Sequence, residues 1–193
     1  MKFVILHGTE GSPEGNWFPW LSKELEGLGQ KTTRPTLPTP AGQNVESWTK
    51  VINNAVKELG GPDEETVIIA HSMSPMAVCH YLNRYNVKIR AAFFVSGFTD
   101  YVDELEPYYT VNPRFFDKNF DWKKLKKNCS KIICFAGDND PYLPQDVLKR
   151  FSELCGAKKF ILVPKGGHFN EEFGYKTFPL LLETIKKELR LKG

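Results

Sequence analysis

The chain of 193 residues is 41% hydrophobic and 25% charged, proportions that are ordinary for a single soluble globular domain with a substantial core. The formal net charge of +3 is too small and too dispersed to indicate a nucleic-acid-binding protein. The apolar run after Lys2 is too short for a signal peptide, and no apolar run approaches the roughly 20 residues that cross a bilayer. The cysteines show no C-x-x-C spacing, which predicts free thiols in a reducing compartment. We therefore expect a cytoplasmic protein without nucleic-acid or membrane partners.

Strand-like and helix-like segments alternate along the chain, which predicts a parallel sheet covered by helices on both faces. Short apolar or β-branched runs predict strands at 3–6, 31–34, 66–70, 91–95, 132–135 and 160–163. Apolar residues at helical spacing predict a first helix that begins near Asn16, a suitable N-cap, and later helices near 45–59, 75–85, 145–154 and 178–189. The basic run at 123–127 favours a further helix with a solvated face. No repeat or linker divides the sequence, so we expect one domain over residues 1–193.

The first strand runs into a glycine-containing turn that spans residues 7–11, His-Gly-Thr-Glu-Gly. A glycine-rich turn after a strand can cradle a phosphate, but this one lacks both the G-x-G-x-x-G spacing and the lysine of a P-loop. We therefore expect no nucleotide or other cofactor. No cluster of His, Cys, Asp or Glu has the spacing of a metal site, so no metal is expected either.

The third strand runs through Ala70 and His71 into Ser72, and helix-forming residues follow at once. This is the pattern of a nucleophile elbow, in which a serine occupies a sharp strand-to-helix turn with its hydroxyl exposed. The usual motif is G-x-S-x-G, whereas this chain has Ala70 and Ser74 at the flanking positions. We expect Ser74 to crowd the turn, with its hydroxyl bonding the local backbone and offsetting part of that crowding.

Residues 97–120 interrupt the alternation of strands and helices and are rich in aromatic side chains. A loop this long inside one domain is often functional, and this one follows the fourth strand, so it can lie over the same sheet edge as Ser72. Two interpretations remain open. The segment is either an aromatic satellite core beneath a surface loop or a small cap that forms part of an acyl-binding pocket.

Two later strands also end in residues that suit catalysis. The fifth strand runs into Asp138 and Asp140, and the sixth runs into a glycine turn that carries His168. In a parallel sheet the carboxyl ends of the strands meet at one edge, so a serine, an aspartate and a histidine would lie close together. The chain order Ser-Asp-His is that of the α/β-hydrolases. The residues alone leave both aspartates open as the partner of His168.

His168 is the expected general base. A serine hydroxyl is a poor nucleophile unless a base removes its proton, and a carboxylate behind that base fixes its tautomer. The other histidines are less suitably placed. His71 precedes the nucleophile and should point away from its hydroxyl, His80 lies on a predicted helix, and His7 ends the first strand, where it would shape the oxyanion loop.

These motifs resemble those of the retinoblastoma-binding protein 9-like small serine hydrolases, a compact branch of the α/β-hydrolases. The resemblance covers nearly the whole chain and rests on the segments 7–12, 16–21 and 34–38 with Trp48, the Ser72 elbow, and the segments 137–141 and 166–169. It implies a single-domain three-layer α/β/α sandwich, a minimal α/β-hydrolase fold whose six parallel strands lie in the order 2-1-3-4-5-6. The Leu-x-Cys-x-Glu motif associated with retinoblastoma-type pocket proteins is absent from the sequence, so that partner is not expected, although another protein partner is left open.

The resemblance also implies roles for individual residues. Related hydrolases usually show the spacing G-x-x-D before a turn, which favours Asp140 over Asp138 as the partner of His168. Backbone N–H groups of Met73, after the nucleophile, and of Thr9 would form the oxyanion hole. The substrate pocket is expected to be lined by Gly8, Trp17, Phe98 and Tyr142.

The expected activity is that of a cofactor-free serine hydrolase that cleaves a small carboxylic ester, thioester or amide through an acyl-enzyme. Ser72, His168 and Asp140 would form its triad, and the lack of a large lid domain favours small acyl groups over long lipids. The alternative is a protein-binding module that keeps the hydrolase fold with little or no turnover. The departure from the elbow motif at Ser74 is the observation that supports this alternative.

Overall fold

A sheet of parallel strands forms the centre of the computed structural model, which describes residues 1–99 and 115–191. The strands are β1 (Lys2–Leu6), β2 (Lys31–Thr33), β3 (Thr66–His71), β4 (Ala91–Val95), β5 (Ile132–Gly137) and β6 (Lys159–Val163). Their order across the described sheet is β2-β1-β3-β4-β5-β6, and every neighbouring pair is parallel. The strand order that the resemblance implied is thus confirmed, and all strands end at one common edge.

Helices cover both faces of this sheet. They are α1 (Phe18–Gly27), α2 (Val45–Glu58), α3 (Ser74–Tyr85), α4 (Trp122–Asn128), α5 (Gln145–Cys155) and α6 (Pro179–Leu189). One hydrophobic core contains the buried residues of α2, α3, α4 and α5, and a second core contains those of α1 and α6. The result is the predicted three-layer α/β/α sandwich. Within the two described segments, no helix is long and apolar enough to cross a membrane.

The central strands are apolar on both faces because each face is covered by helices. In β1, Val4 and Leu6 join the core beneath α2 and α3, while Phe3 and Ile5 join the core beneath α1 and α6. All five residues of β1 are buried. This continuous burial explains why the strands appear in the sequence as unbroken apolar runs. Polar residues lie instead at the strand ends.

The start of α1 differs from the sequence-based expectation. The helix begins at Phe18, its cap position is Trp17, and no side chain caps it. Asn16, which we expected to be the N-cap, instead has a left-handed backbone with φ of 51°. The Asn side chain tolerates that conformation better than most others. The prediction was wrong because the side chain of Asn16 bonds a distant loop, a contact that local sequence does not encode.

The aromatic stretch after β4 contributes to the core where it is described. Phe115 and Phe120 are buried in the core beneath α2 to α5, and the ring centroids of Phe115 and Trp48 are 5.3 Å apart. These contacts support the satellite-core interpretation for this part of the segment. The expected cap at 97–120 falls largely on residues 100–114, which lie outside the described residues.

The four cysteines of the chain all lie on one side of the sheet. Cys79, Cys129, Cys134 and Cys155 are free and buried, and all belong to the core beneath α2 to α5. The sulfur atoms of Cys134 and Cys155 are 3.8 Å apart. Burial raises the pKa of Cys129 to about 12 and raises that of Cys79 as well, so these groups remain thiols.

Candidate active site

Ser72 occupies the turn between β3 and α3, at the common edge where the strands end. β3 ends at His71 and α3 begins at Ser74, so the chain passes from strand to helix within a very short turn. Ser72 has φ of 62°, a left-handed conformation that is uncommon for a residue other than glycine and is typical of strained functional sites. Its N–H donates to the carbonyl of Val95 on β4 at 2.9 Å. The serine is therefore fixed by its backbone, with its side chain partly exposed.

Ser74, which replaces the usual glycine, is fully buried and its hydroxyl is bonded to two strands. Its Oγ accepts the N–H of His71 at 2.9 Å, and it lies within donating distance of the carbonyl oxygens of His71, at 2.9 Å, and of Leu6, at 3.2 Å. Leu6 is the last residue of β1. The expected bonding to the local backbone is present, and the contact with Leu6 also links the end of β3 to the end of β1, which the sequence did not predict.

A line of hydrogen bonds joins Ser72, His168 and Asp140. Ser72 Oγ lies 3.0 Å from His168 Nε2, and His168 Nδ1 lies 2.8 Å from Asp140 Oδ2. A carboxylate can only accept, so Nδ1 of His168 carries the proton and Nε2 presents its lone pair to the serine hydroxyl. This is the tautomer that a general base for Ser72 requires.

The carboxylate of Asp140 is fully buried and its oxygens are occupied by donors. Oδ1 accepts the backbone N–H groups of Tyr142 and Leu143 at 3.0 and 3.2 Å. Oδ2 accepts the hydroxyl of Ser96 at 3.1 Å, in addition to the ring of His168. Hydrogen bonds of this kind hold the carboxylate in one orientation behind the histidine.

Asp138 has a different position from Asp140. Its Oδ1 accepts the N–H of Lys165 at 2.7 Å, and the neighbouring Asn139 accepts the N–H of the residue before His168 at 2.8 Å. Both side chains therefore bind the backbone of the turn that carries His168, whereas Asp140 binds its ring. Of the two aspartates that the sequence left open, the structure places Asp140 against the histidine.

Two buried ring N–H groups hold the backbone around His168 from below. His71 Nε2 lies 2.7 Å from the carbonyl oxygen of His168, and Trp17 Nε1 donates to the carbonyl of Phe169 at 2.9 Å. Burial, together with the neighbouring His168, lowers the pKa of His71 to about 3, so the ring is neutral and donates from Nε2. Trp17 is completely buried and does not line the cavity described below. The expectation that Trp17 forms part of the substrate pocket is therefore wrong.

The turn after β1 lies directly against the serine. A Cβ added to Gly8 would lie 2.7 Å from the Cβ of Ser72, so a side chain at this position would displace the turn or the elbow. The backbone N–H groups of Thr9 and Met73 have no acceptor among residues 1–99 and 115–191, and both residues line the cavity that contains Ser72. A pair of unused N–H donors beside a serine is what an oxyanion hole requires.

Side chains that are distant in sequence fix this turn. The N–H of Glu10 donates to Thr39 Oγ1 at 2.7 Å, Thr39 Oγ1 lies 2.6 Å from Gln43 Oε1, and Gln43 Nε2 lies 2.7 Å from Thr9 Oγ1. Glu10 has a left-handed φ of 56° and depends on such support. The turn is thereby attached to the segment that precedes α2.

His7 supports the same turn from within the core, where we expected it to shape the oxyanion loop. Its Nε2 accepts the N–H of Leu37 at 3.0 Å, so Nδ1 carries the proton and donates to the carbonyl of Gly8 at 2.8 Å. Burial lowers the pKa of His7, which favours this neutral form. His80 is remote from these contacts, and its Nε2 lies 3.1 Å from the carbonyl of Phe115.

A cavity of about 330 Å³ opens above Ser72 and His168. Its apolar wall consists of Met73, Phe98, Tyr142 and Leu143, and its polar wall consists of Thr9, Glu10, Asn16 and Asn170. Gly8, Phe98 and Tyr142, the other residues that we expected in the pocket, all line it.

The ring of Tyr142 stands perpendicular to that of His168 with centroids 5.1 Å apart, and its hydroxyl donates to Glu172 at 3.0 Å. In the described part of the chain, no group of three or more His, Cys, Asp or Glu could hold a metal ion.

Sequence reasoning missed several residues that support this site. Ser96 directly follows β4, so its place at the common edge of the sheet was a usable signal. Gln43 and Asn16 had no such signal, because each is brought to the site by a contact between loops. Asn170 lies close to His168 in the sequence, which was a usable signal. The missed residues are mainly hydrogen-bonding partners of residues that the sequence did identify.

Known proteins share both the sequence pattern and the fold. The chain matches a family model described as serine hydrolase over residues 3–187. It is 29% identical over 176 residues to the serine hydrolase RBBP9 of Rattus norvegicus, with 89% of each chain covered. Its fold is similar to that of the ydeN gene product from B. subtilis, with a TM-score of 0.87, 24% identity and 98% of each chain covered. It is also similar to MGS-MChE2, an α/β hydrolase enzyme from a sediment metagenome of the Mar Chica lagoon in Morocco, with a TM-score of 0.71, 20% identity, and coverage of 98% of this chain and 92% of that one.

Proposed function

The chain belongs to the serine hydrolase family, and we propose that it cleaves small carboxylic esters by way of an acyl-enzyme, with thioesters and amides as related substrates. Ser72 is the nucleophile, His168 the general base and acid, and Asp140 the residue that orients His168. The observation that carries this proposal is the hydrogen-bonded line from Ser72 Oγ through both ring nitrogens of His168 to Asp140, at 3.0 and 2.8 Å. Distances of this length suit proton transfer without rearrangement.

Acylation begins when Ser72 Oγ attacks the ester carbonyl carbon and its proton passes to Nε2 of His168. The new C–O bond gives a tetrahedral intermediate, and the imidazolium returns the proton to the departing alcohol as the old C–O bond breaks. Water then attacks the acyl-serine and passes a proton to His168. The bond between the acyl carbon and Ser72 Oγ breaks, the imidazolium returns the proton to Ser72, and the carboxylic acid leaves. Asp140 stabilises the imidazolium and preserves the required tautomer.

The negative charge of each tetrahedral intermediate needs donors that are already in place. The unpaired N–H groups of Thr9 and Met73 fill this role, since both lie at the cavity beside Ser72. Loss of one such donor typically lowers kcat by about 10²–10³. The contacts that fix the turn at Thr9 therefore support catalysis as well as the fold.

The dimensions of the cavity favour small substrates. Its volume of about 330 Å³ lies near the lower end of the range of small-molecule pockets, roughly 300–1,000 Å³. The wall of Met73, Phe98 and Leu143 offers an apolar surface for a short acyl chain. Esters with short chains are accordingly the expected substrates.

Active-site labelling and hydrolysis test the proposal together. Ser72→Ala should abolish both reaction with a fluorophosphonate probe and hydrolysis of p-nitrophenyl esters of graded chain length, because loss of a triad nucleophile lowers kcat by about 10⁶. The matched control is Ser130→Ala, which removes an exposed serine that precedes β5 at the opposite edge of the sheet. Equal labelling of Ser72→Ala and the wild type would assign the nucleophile elsewhere.

The same experiment separates the rival function. A binding module with a nonfunctional site would give a wild-type protein that neither reacts with the fluorophosphonate nor hydrolyses any ester in the series. The bonded Ser74 hydroxyl weakens this rival, because the departure from the elbow motif that supported it is accommodated by hydrogen bonds to the backbone.

A further inference from the structure

The polar wall of the cavity carries two side-chain amides whose orientation is fixed. Asn16 Oδ1 accepts the N–H of Glu171 at 3.0 Å, and Asn170 Oδ1 accepts the N–H of Phe173 at 3.4 Å. A backbone N–H can only donate, so each amide directs its oxygen toward the backbone and its NH₂ group away from it. Neither NH₂ group has an acceptor among residues 1–99 and 115–191, and both residues line the cavity. The wall therefore presents unused hydrogen-bond donors.

The two amides lie close to each other and to the catalytic histidine. The N–H of Asn16 donates to Glu171 Oε1 at 3.0 Å, which together with the bond above holds Asn16 against the residue that follows Asn170. Asn170 in turn follows His168 closely along the chain. In the proposed reaction His168 delivers its proton to the departing alcohol, so the alcohol half of the substrate lies on this side of the site.

A carboxylate completes the polar wall. Glu10 lines the cavity, its side chain is exposed, and within the described segments that carboxylate has neither a cation nor a donor as partner. A hydroxyl group both donates and accepts, so it can satisfy the carboxylate and the amide groups together. An alkyl group of the same size satisfies neither and would displace water from them.

We infer that Asn16 and Asn170 form a subsite for a hydroxyl group on the alcohol half of the substrate. The favoured substrates are then short-chain esters of polyhydric alcohols, and the products are a small carboxylic acid and a diol or polyol. This inference rests on the proposed function and names the substrate class of the same site.

Two esters of equal size test the inference on the wild-type protein. 2-Hydroxyethyl butyrate and propyl butyrate share the acyl group and differ only in a hydroxyl in place of a methyl. After correction for their rates of alkaline hydrolysis, kcat/KM should be about tenfold higher for the hydroxyethyl ester, the gain that a single additional hydrogen bond gives.

Isosteric variants then test the two asparagines. Asn16→Asp and Asn170→Asp keep the oxygen that binds the backbone and replace only the NH₂ group, so each should lower the hydroxyethyl-to-propyl ratio several-fold. The matched control is Asn54→Asp, which adds the same charge at an exposed position on α2 and should leave the ratio unchanged. The ratio compares two substrates on one protein, so a general loss of activity in a variant does not affect it.

The outcomes separate this inference from the proposed function. A wild-type ratio near one, or ratios in both aspartate variants equal to that of the wild type, would overturn the subsite while hydrolysis itself stands. Failure of the wild type to hydrolyse either ester or p-nitrophenyl butyrate would overturn the proposed function, and the subsite with it.

Discussion

The two halves of the site are positioned by different means. On the nucleophile side, Ser72 is held by a strained backbone and by the close approach of Gly8, where a Cβ would lie 2.7 Å from the serine. On the acid-base side, Asp140 and His168 are held by side-chain hydrogen bonds, and their turns are braced by Asp138. The nucleophile side should therefore be sensitive to added atoms, and the acid-base side to changes of donor and acceptor that leave the shape intact.

Apart from removal of the nucleophile itself, the largest effect is expected on the acid-base side, from replacing one carboxylate oxygen of Asp140 by an amide nitrogen. Asp140→Asn lets an amide NH₂ donate to His168 Nδ1, which moves the proton to Nε2 and removes the base that faces Ser72. Such a change of tautomer lowers kcat by about 10⁴. The measurement is kcat for p-nitrophenyl butyrate.

Asp138→Asn is the matched control for this prediction. An asparagine keeps the Oδ1 atom that accepts the N–H of Lys165, so kcat should change no more than a few-fold. If Asp138→Asn proved more damaging than Asp140→Asn, the contacts of His168 would not describe the catalytic arrangement.

On the nucleophile side, the corresponding test adds one methyl group. Gly8→Ala places a Cβ within 3.2 Å of both Ser72 Cβ and Ser72 Oγ, so the turn or the elbow must move. A misplacement of about 1 Å at a reacting group can lower the rate by about 10². We expect that loss in kcat with the folded structure retained, as measured by kinetics and circular dichroism.

Gly15→Ala serves as the control in the same loop, because its added Cβ would come no closer than 3.6 Å to any neighbour. Equal activities for the Gly8→Ala and Gly15→Ala proteins would show that the nucleophile side tolerates added atoms, which removes the contrast between the two halves.

A smaller effect on kcat is expected from substitution of Ser74, which belongs to the elbow of the nucleophile side but acts through the hydrogen bonds of its hydroxyl. Ser74→Ala keeps the Cβ but leaves the buried N–H of His71 without its acceptor, which typically costs about 1–3 kcal/mol of unfolding free energy. Because the hydroxyl also reaches Leu6 on β1, we expect kcat to fall by about tenfold as the elbow shifts against the oxyanion turn. Denaturation in urea and steady-state kinetics measure the two quantities. A variant with kcat equal to or above that of the wild type would assign Ser74 no role in positioning.

Substitution of His71 should change activity least, but it should measurably change how the free energy of unfolding depends on pH. Its folded-state pKa of about 3 lies below the ordinary histidine value of 6.5, so the unfolded chain binds more protons than the folded one between these values. The free energy of unfolding should therefore fall as pH decreases from about 6.5 toward 3, by about 1.4 kcal/mol for each pH unit. His71→Phe removes this contribution, so its stability should depend less steeply on pH between 5 and 7. Equal slopes for the variant and the wild type would contradict a neutral, buried His71.

Much of this site could be predicted because a parallel sheet brings strand ends together. Ser72, Asp140 and His168 each follow a different strand, and the apolar runs mark those strands clearly. Bonds between distant loops could not be predicted in the same way. Asn16 was expected to cap α1 and instead binds Glu171, a residue far along the chain.

Trp17 shows a second limit of sequence reasoning. Its spacing with the apolar residues of the predicted first helix correctly indicated a buried side chain, which lies at the cap position of α1, but it did not indicate the direction of the ring. The indole points beneath His168 and donates to the carbonyl of Phe169. That direction depends on how α1 packs against the sheet, and a periodic pattern reports only which face is buried.

Because the cysteines all lie on one side of the sheet, their reactivity can report when the helices on that side separate from the sheet. Every thiol lies beneath α2 to α5, and none lies beneath α1 and α6. An alkylating reagent attacks thiolates, so these buried thiols should react only when the layer above them separates from the sheet. The mass gained by the intact chain over time would then record the exposure of one layer alone, and peptide mapping would show whether α3 and α5 detach together or in turn.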